Sequence, residues 1–367
     1  MTNAALPAVF AVFLGLLLAV ALFTPFAAVA YRRYGRLTVR HTVIWLGFLI
    51  YALAVWCYTL LPLPDPARMK CAGTQLRPFY FVTDFLAYPH GSLGEVLRNP
   101  VLAENGLNVA LFLPLGFFMR ALFNRGVACT AFVGASMSMF VELTQLTGVW
   151  GIYPCAYRVF DVDDLIANTA GAALGAVAAL LVPRHLVSAR RLPPGQPAPV
   201  TKGRRVVAMA ADGLTVAVLD GAVSFAGSVW LASQPGDGAD SPWAGAVGAA
   251  AFAAPFAVQG LCVAVSGRTV GDIVTELRLE PARPAWLARR LTRFLAGIGG
   301  FQLLGLLPAP WHPVQWVFAV VALVAAMAAP RARSLPGLIA RQTLVDVRGA
   351  RAGPPAAPPG NPGPEGL

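Results

Sequence analysis

The sequence predicts an all-α fold, a polytopic membrane helical bundle of about nine transmembrane helices in two modules. Two observations carry that expectation. Of 367 residues, 57% are apolar and only 12% are charged, and the mean hydropathy is +0.64, outside the range of soluble globular chains. The apolar residues also gather into runs near the roughly 20 residues that a helix needs to cross the hydrocarbon layer.

In order, the predicted spans are 7–30, 42–61, 106–123, 126–147, 164–182, 206–231, 244–265, 292–308 and 312–329. The third is the shortest uncharged stretch, because Arg120 cuts into it; it predicts a short or tilted helix whose arginine reaches for the interface. The first run is followed, not preceded, by its basic cluster of Arg32, Arg33, Arg36 and Arg40. That order argues against a cleavable secretory signal.

The net charge of +11 does not point to nucleic acid, since no basic patch interleaves with aromatics and no zinc-finger or helix-turn-helix pattern is present. The basic residues lie between apolar runs instead. With the N-terminus outside and the C-terminus cytoplasmic, 23 of the 28 Lys and Arg fall in inner loops. The opposite threading would violate the positive-inside bias, so a multi-pass plasma (inner) membrane protein of this orientation is expected, with the lipid bilayer as its first partner.

Residues 183–204 hold Pro183, Pro193, Pro194, Pro197 and Pro199 among several basic residues. They predict an exposed cytoplasmic linker between a first module, 1–182 with five helices, and a second, 205–348 with four. Residues 349–367 are largely Pro, Gly and Ala and predict a disordered tail.

Polar residues recur at the outer ends of three predicted helices. Glu142 and Gln145 share a face of the fourth; Asp164, Asn168, Gly171 and Gly175 share a face of the fifth; Asn108 begins the third, ahead of Pro114 and Gly116. Arg158, Asp161 and Asp163 lie in the loop between. Acids and amides at membrane depth are costly unless paired or facing a wet cavity. The cluster therefore reads either as an outward-facing binding site or as a salt-bridged cap of Arg158 with Glu142 or an aspartate that seals the bundle. Glycines at this spacing also form a smooth strip on which another helix can pack closely. No spaced acidic loop of the kind that holds calcium is present, and no metal or cofactor is expected.

Four ordered motifs carry a resemblance: Tyr58-Thr59-Leu60-Leu61-Pro62; Asn108 to Phe117 with Phe112, Pro114 and Gly116; Glu142-x-x-Gln145; and Arg158-x-x-Asp161-x-Asp163-Asp164-x-x-x-Asn168-Thr169-x-Gly171-x-x-x-Gly175. Over about residues 40–182 the chain resembles the VanZ-like family. The resemblance implies an envelope-associated membrane protein, linked through the founding member to low-level teicoplanin resistance. An extra N-terminal span and the long loop 62–105 depart from the family pattern.

A second set of charged residues follows the linker. Arg205 and Asp212 are seven residues apart on one predicted helix, with Asp220 eight residues deeper, where an unpaired carboxylate is expected to be protonated or paired. Arg268-Thr269-x-Gly271 and Arg341 to Asp346 complete the set. Over about residues 203–348 these strings resemble the RDD family, with Asp272 standing where that family carries a Lys. That resemblance implies ion transport; an internal ion pair fixing helix packing is the plainer reading.

Of five cysteines, Cys57, Cys129 and Cys262 fall in apolar spans. Cys71 and Cys155 fall in outer loops, where a disulfide is permitted, and form the candidate bridge. Three functions stay open: a protective membrane protein that binds a surface ligand such as a cell-wall precursor or a glycopeptide; a transporter using Asp212 and Asp220; and an enzyme on lipid-linked wall precursors, for which no nucleophile with an adjacent base is visible.

Overall fold

Helix caps set where the long helices begin and end. The computed structural model describes residues 5–61, 63–66, 68–183, 192–193, 195–234, 242–280, 286–329 and 333–351. The tail from 352 and linker residues 184–191 lie outside the described residues. The chain divides into two compact units, Met1–Ala19 with Thr38–Arg190 and Val20–Leu37 with Arg191–Leu367.

Helix α1 covers Ala5–Tyr34 and ends on Arg32 and Arg33, cations that suit the negative end of the helix dipole. In the first unit, α2 (Val39–Leu60) starts where the Thr38 hydroxyl accepts from the His41 N–H, and it stops at Leu61, the residue before a proline. Short helices α3 (Tyr80–Leu86) and α4 (Leu93–Leu97) follow, the second closed by a capping box between Ser92 and Glu95. Helix α5 (Pro100–Phe123) is then capped by Asn99, which accepts from the Val101 N–H at 3.0 Å.

The third predicted span is thus not short. Asn99 and Pro100 start it six residues before the expected position, and the helix runs 24 residues. It passes through Pro114, and the Tyr51 hydroxyl of α2 donates to the Leu111 carbonyl at 2.9 Å in the turn that the proline loosens. Helices α6 (Val127–Leu146) and α7 (Val162–Ala178) complete the unit. Val55, Phe112, Leu115, Met119 and Ala172 form its buried apolar core.

The strip of Gly171 and Gly175 on α7 lies against the backbone of α5. A Cβ at 175 would stand 1.9 Å from the Leu113 carbonyl oxygen, and one at 171 would stand 2.2 Å from that of Val109. Contact this close sets the depth at which the polar ends of α5 and α7 meet.

In the second unit, the last part of α1 packs Ala27 against Ala211 and Val274. Helix α8 (Lys202–Ala232) is capped by Thr201, and α9 (Ala244–Ser266) ends at Gly267 with φ +71°, a left-handed stop. Then come α10 (Val270–Val274), strand β3 (Leu277–Glu280), α11 (Trp286–Leu295), α12 (Ile298–Leu304), α13 (His312–Ala328), α14 (Leu335–Ile339), strand β4 (Thr343–Asp346) and α15 (Val347–Arg351). The β3–β4 pair is antiparallel, with Leu277 opposite Asp346. Alternating burial along both strands places Leu277, Leu279 and Leu344 in a small core with Ala208.

Two expectations change here. The span at 292–308 is not one helix: α11 ends at Leu295, and Gly297 adopts φ −123°, ψ −133° before α12 begins. The final stretch of the linker is not exposed throughout. Ala198 is buried and donates to the Asp346 carboxylate at 3.1 Å, because the extended, proline-rich chain offers its free backbone groups to the second unit.

Among the described residues, six helices are long and apolar enough to cross a membrane: Val39–Leu60, Pro100–Phe123, Val127–Leu146, Lys202–Ala232, Ala244–Ser266 and Ala309–Ala328. The protein is an all-α membrane helical protein.

Candidate functional site

In the first unit, two loops are tied together beside the ends of α5, α6 and α7. Cys71 and Cys155 form a disulfide, with Cα atoms 5.5 Å apart and 84 residues between them in sequence. Next to it, strand β1 (Thr74–Gln75) runs parallel to β2 (Phe160–Asp161), and the Ala72 N–H donates to the Ala156 carbonyl at 2.9 Å. In the chain-entropy view, a bridge that closes a loop this long stabilises the folded form by about 4–5 kcal/mol. Its local effect is to hold the segment carrying Arg158 and Asp161 over the helix ends.

The acids divide by role. Asp161 caps α7, accepting from the Asp163 N–H at 2.8 Å, and also accepts from Gln75 at 3.3 Å. Burial pushes its carboxyl above the ordinary carboxylate value, opposed by the hydrogen bond from the Asp163 N–H. Asp163 faces the long loop, where it accepts from the Phe79 N–H at 2.6 Å and the Phe81 N–H at 2.8 Å. It thereby holds Phe79, at φ +63°, and the start of α3. Asp163 thus anchors the loop.

Glu142, Asp164, Asn108 and Asn168 form the inner group. Glu142 is 3% exposed. One of its oxygens accepts from the Asp161 N–H at 3.1 Å; its electrostatic neighbours are Asp164, Asp161 and Arg158. Asp164 accepts from the Asn108 amide, which joins α5 to α7. One turn along α7, Asn168 donates to the Ser138 hydroxyl at 2.9 Å, while its buried Oδ1 has no hydrogen-bond partner among the described residues.

Gln145 turns elsewhere and donates to the Thr59 carbonyl at 2.6 Å, linking α6 to α2. Arg158 is exposed, and among the described residues it forms no ion pair with any acid. A salt-bridged cap on Arg158 is therefore not what closes this end. The buried Glu142 and half-buried Asp164 carboxylates and the Asn168 amide oxygen make an acceptor-rich patch, with Arg158 as an electrostatic neighbour of both acids.

The charged residues of the second unit also separate. Asp212, buried in α8, accepts from the Gly271 N–H at 2.7 Å and from Gln259 at 3.1 Å. Gly271 permits that approach, since a Cβ there would stand 1.9 Å from the Ala208 carbonyl oxygen. Arg268 donates to the Leu277 carbonyl at 2.8 Å. Arg205 is buried and donates to the Arg333 carbonyl at 2.9 Å.

Asp220 is exposed on α8 with no hydrogen-bonding or ionic partner among the described residues, so of the two expected forms, protonated or paired, the paired one is not found. Arg341 is also exposed, at φ +54°, and does not meet Asp346. Asp346 instead pairs with Arg204 at 2.7 Å and Arg348 at 2.9 Å. Asp272 pairs with Arg293 at 2.7 Å and shares a capping box with Thr269.

Sequence reasoning missed Arg204, Gln259, Arg293 and Arg348. Gln259 had a signal, an amide in the middle of an apolar span. The three arginines had none: Arg204 and Arg293 meet their acids across 142 and 21 positions, and Arg348, two residues from Asp346, stands in a stretch of ordinary composition.

Membrane-length helices around buried polar groups define a multi-pass helical membrane protein. Within it, residues 48–183 match the family model VanZ-LLP1, described as VanZ/LLP1. The match covers α5, α6, α7 and both halves of the disulfide-tied loop system. No curated protein matches the chain. No solved structure matches it either.

Proposed function

We propose that the VanZ-like region binds an envelope ligand at the acceptor-rich patch and protects the cell against glycopeptides of the teicoplanin type. The observation that carries this reading is the buried Glu142 carboxylate and the half-buried Asp164 carboxylate beside the buried Asn168 oxygen, which has no hydrogen-bond partner among the described residues, and with no arginine ion-paired to either acid among those residues. Such a patch favours ligands rich in donors, namely ammonium and hydroxyl groups, which glycopeptides and lipid-linked wall precursors both carry.

Glu142→Gln keeps the shape and the hydrogen bond from the Asp161 N–H but removes the charge. In a deletion strain complemented with this variant, present at normal level, tolerance to teicoplanin is expected to fall to that of the deletion strain. Wild-type tolerance in that strain, with the deletion strain sensitive, would sink the charged-site reading.

The site is read as facing the outside of the plasma membrane, with the N-terminus outside and the C-terminus cytoplasmic. Support comes from the basic residues, 23 of 28 of which then lie inside. The disulfide also fits an oxidising compartment. A cysteine introduced at 195–200 should resist an impermeant thiol reagent in intact cells and react after permeabilisation. Labelling in intact cells would invert the topology.

The RDD-like reading of the second unit rests on Arg205, Asp212, Arg268 and Gly271. The hydrogen bonds to Asp212 favour its simpler form, an internal polar network that fixes helix packing.

A further inference from the structure

A cavity of about 210 Å³ lies inside the second unit. Its polar lining is Arg205, Asp212, Asp272, Arg293 and Ser334. The rest is mainly apolar, with Phe301, Phe318, Ala319, Ala322 and Ala326 among it.

Three of the four charges are already answered. Asp272 and Arg293 neutralise each other, through hydrogen bonds of 2.7 and 3.0 Å. Asp212 is held by the Gly271 N–H and the Gln259 amide. Arg205 differs. It is 5% exposed, its guanidinium meets only the neutral carbonyls of Arg333 and Ala329, and no carboxylate lies within ion-pair distance among the described residues. Among the described residues its buried Nε has no hydrogen-bond partner, and neither has the buried Ser334 hydroxyl.

A buried guanidinium without a counter-charge is costly, and each orphaned donor adds to that cost. An anion placed between Arg205 and Ser334 would relieve both. Asp212 does not oppose it strongly, because seven residues of helix separate it from Arg205 by about 10 Å.

We propose that this cavity binds a single-chain amphiphile with an anionic head, a fatty acid or a lysolipid phosphate. The head sits on Arg205 and Ser334 and the chain lies along α13. The volume favours one chain, since pockets for drug-sized ligands run to roughly 300–1,000 Å³. The apolar lining argues against a small free anion, which would leave it unfilled.

The test is native mass spectrometry of the full-length protein, released from detergent, with laurate, methyl laurate and inorganic phosphate as probes. Laurate should bind saturably at one copy. Methyl laurate, which keeps the chain and loses the charge, should bind at least tenfold more weakly. Ala322→Phe, which fills the apolar part, should abolish laurate binding, and Ser334→Ala should weaken it several-fold. Arg205→Gln should remove it; should that variant fail to fold, the ester comparison on the unaltered protein and Ser334→Ala decide. Equal binding of acid and ester, or laurate binding that survives Ala322→Phe, overturns the proposal. Displacement of laurate by inorganic phosphate at equal concentration would make the site one for a free oxyanion and overturn the amphiphile assignment.

Discussion

Asp346→Asn is expected to destabilise the second unit by about 3–5 kcal/mol, the range for removing one member of a buried ion pair. The wild-type carboxylate accepts from the Ala198 N–H at 3.1 Å, from Arg204 at 2.7 Å, and from Arg348 through its backbone N–H at 2.8 Å and guanidinium at 2.9 and 3.0 Å. Arg204 is 1% exposed. Its remaining donors go to the carbonyls of Thr275, Glu276 and Ala198, and it lies over the Tyr31 ring. An amide at 346 leaves that guanidinium without a counter-charge and turns a donor toward donors. Thermal unfolding of the purified protein should show a midpoint lower by on the order of ten degrees; an unchanged midpoint would mean the cluster contributes nothing net.

The same cluster sets an acid limit. Burial works against the charged form of Asp346, but the hydrogen bonds from Arg348 and Arg204 outweigh it and hold the carboxyl down to about 2. The folded value lies below the unfolded one, so this stabilisation is complete above about pH 4 and is lost as pH falls through about 2. In Asp346→Asn, the destabilisation relative to wild type should therefore shrink over that window.

How much of this was legible depends on whether a feature lies along the chain or across it. Hydrophobic runs marked most of the long helices because their length answers to the bilayer, and the i, i+4, i+7 spacing from Asp164 to Gly175 exposed the close face of α7. Cys71 and Cys155 were legible because compartment and elimination both selected them. The identity of each acid's partner was not. Asp163 bonds residues 79 and 81, and Arg204 bonds Asp346 across 142 positions. No local pattern records such a pairing; only the folded backbone brings them together. The break at Gly297 was hidden for the opposite reason, since glycine in an apolar run reads equally as helix, kink or packing face.

Gly175→Val should be the most damaging single change in the first unit. Even alanine places a carbon 1.9 Å from the Leu113 carbonyl oxygen and 2.8 Å from its carbonyl carbon, and both are backbone atoms that cannot rotate aside. Ordinary contact begins near 3.4 Å, so α5 and α7 must part by well over an ångström. Overpacking of this kind costs about 1–3 kcal/mol for modest additions and more for a branched side chain. The same separation would pull Asn108 from Asp164, because both lie one to three turns along the helices that this contact holds together. Gly175→Val should thus lower the folded yield and, under the proposed function, teicoplanin tolerance with it, and Gly175→Ala should do so to a lesser degree. Gly221→Ala is the control: it lies in α8, has nothing within 4 Å of its Cβ, and should be neutral or stabilise slightly, alanine being the better helix former. Wild-type unfolding behaviour in Gly175→Val would show that the glycine face does not set the spacing of α5 and α7.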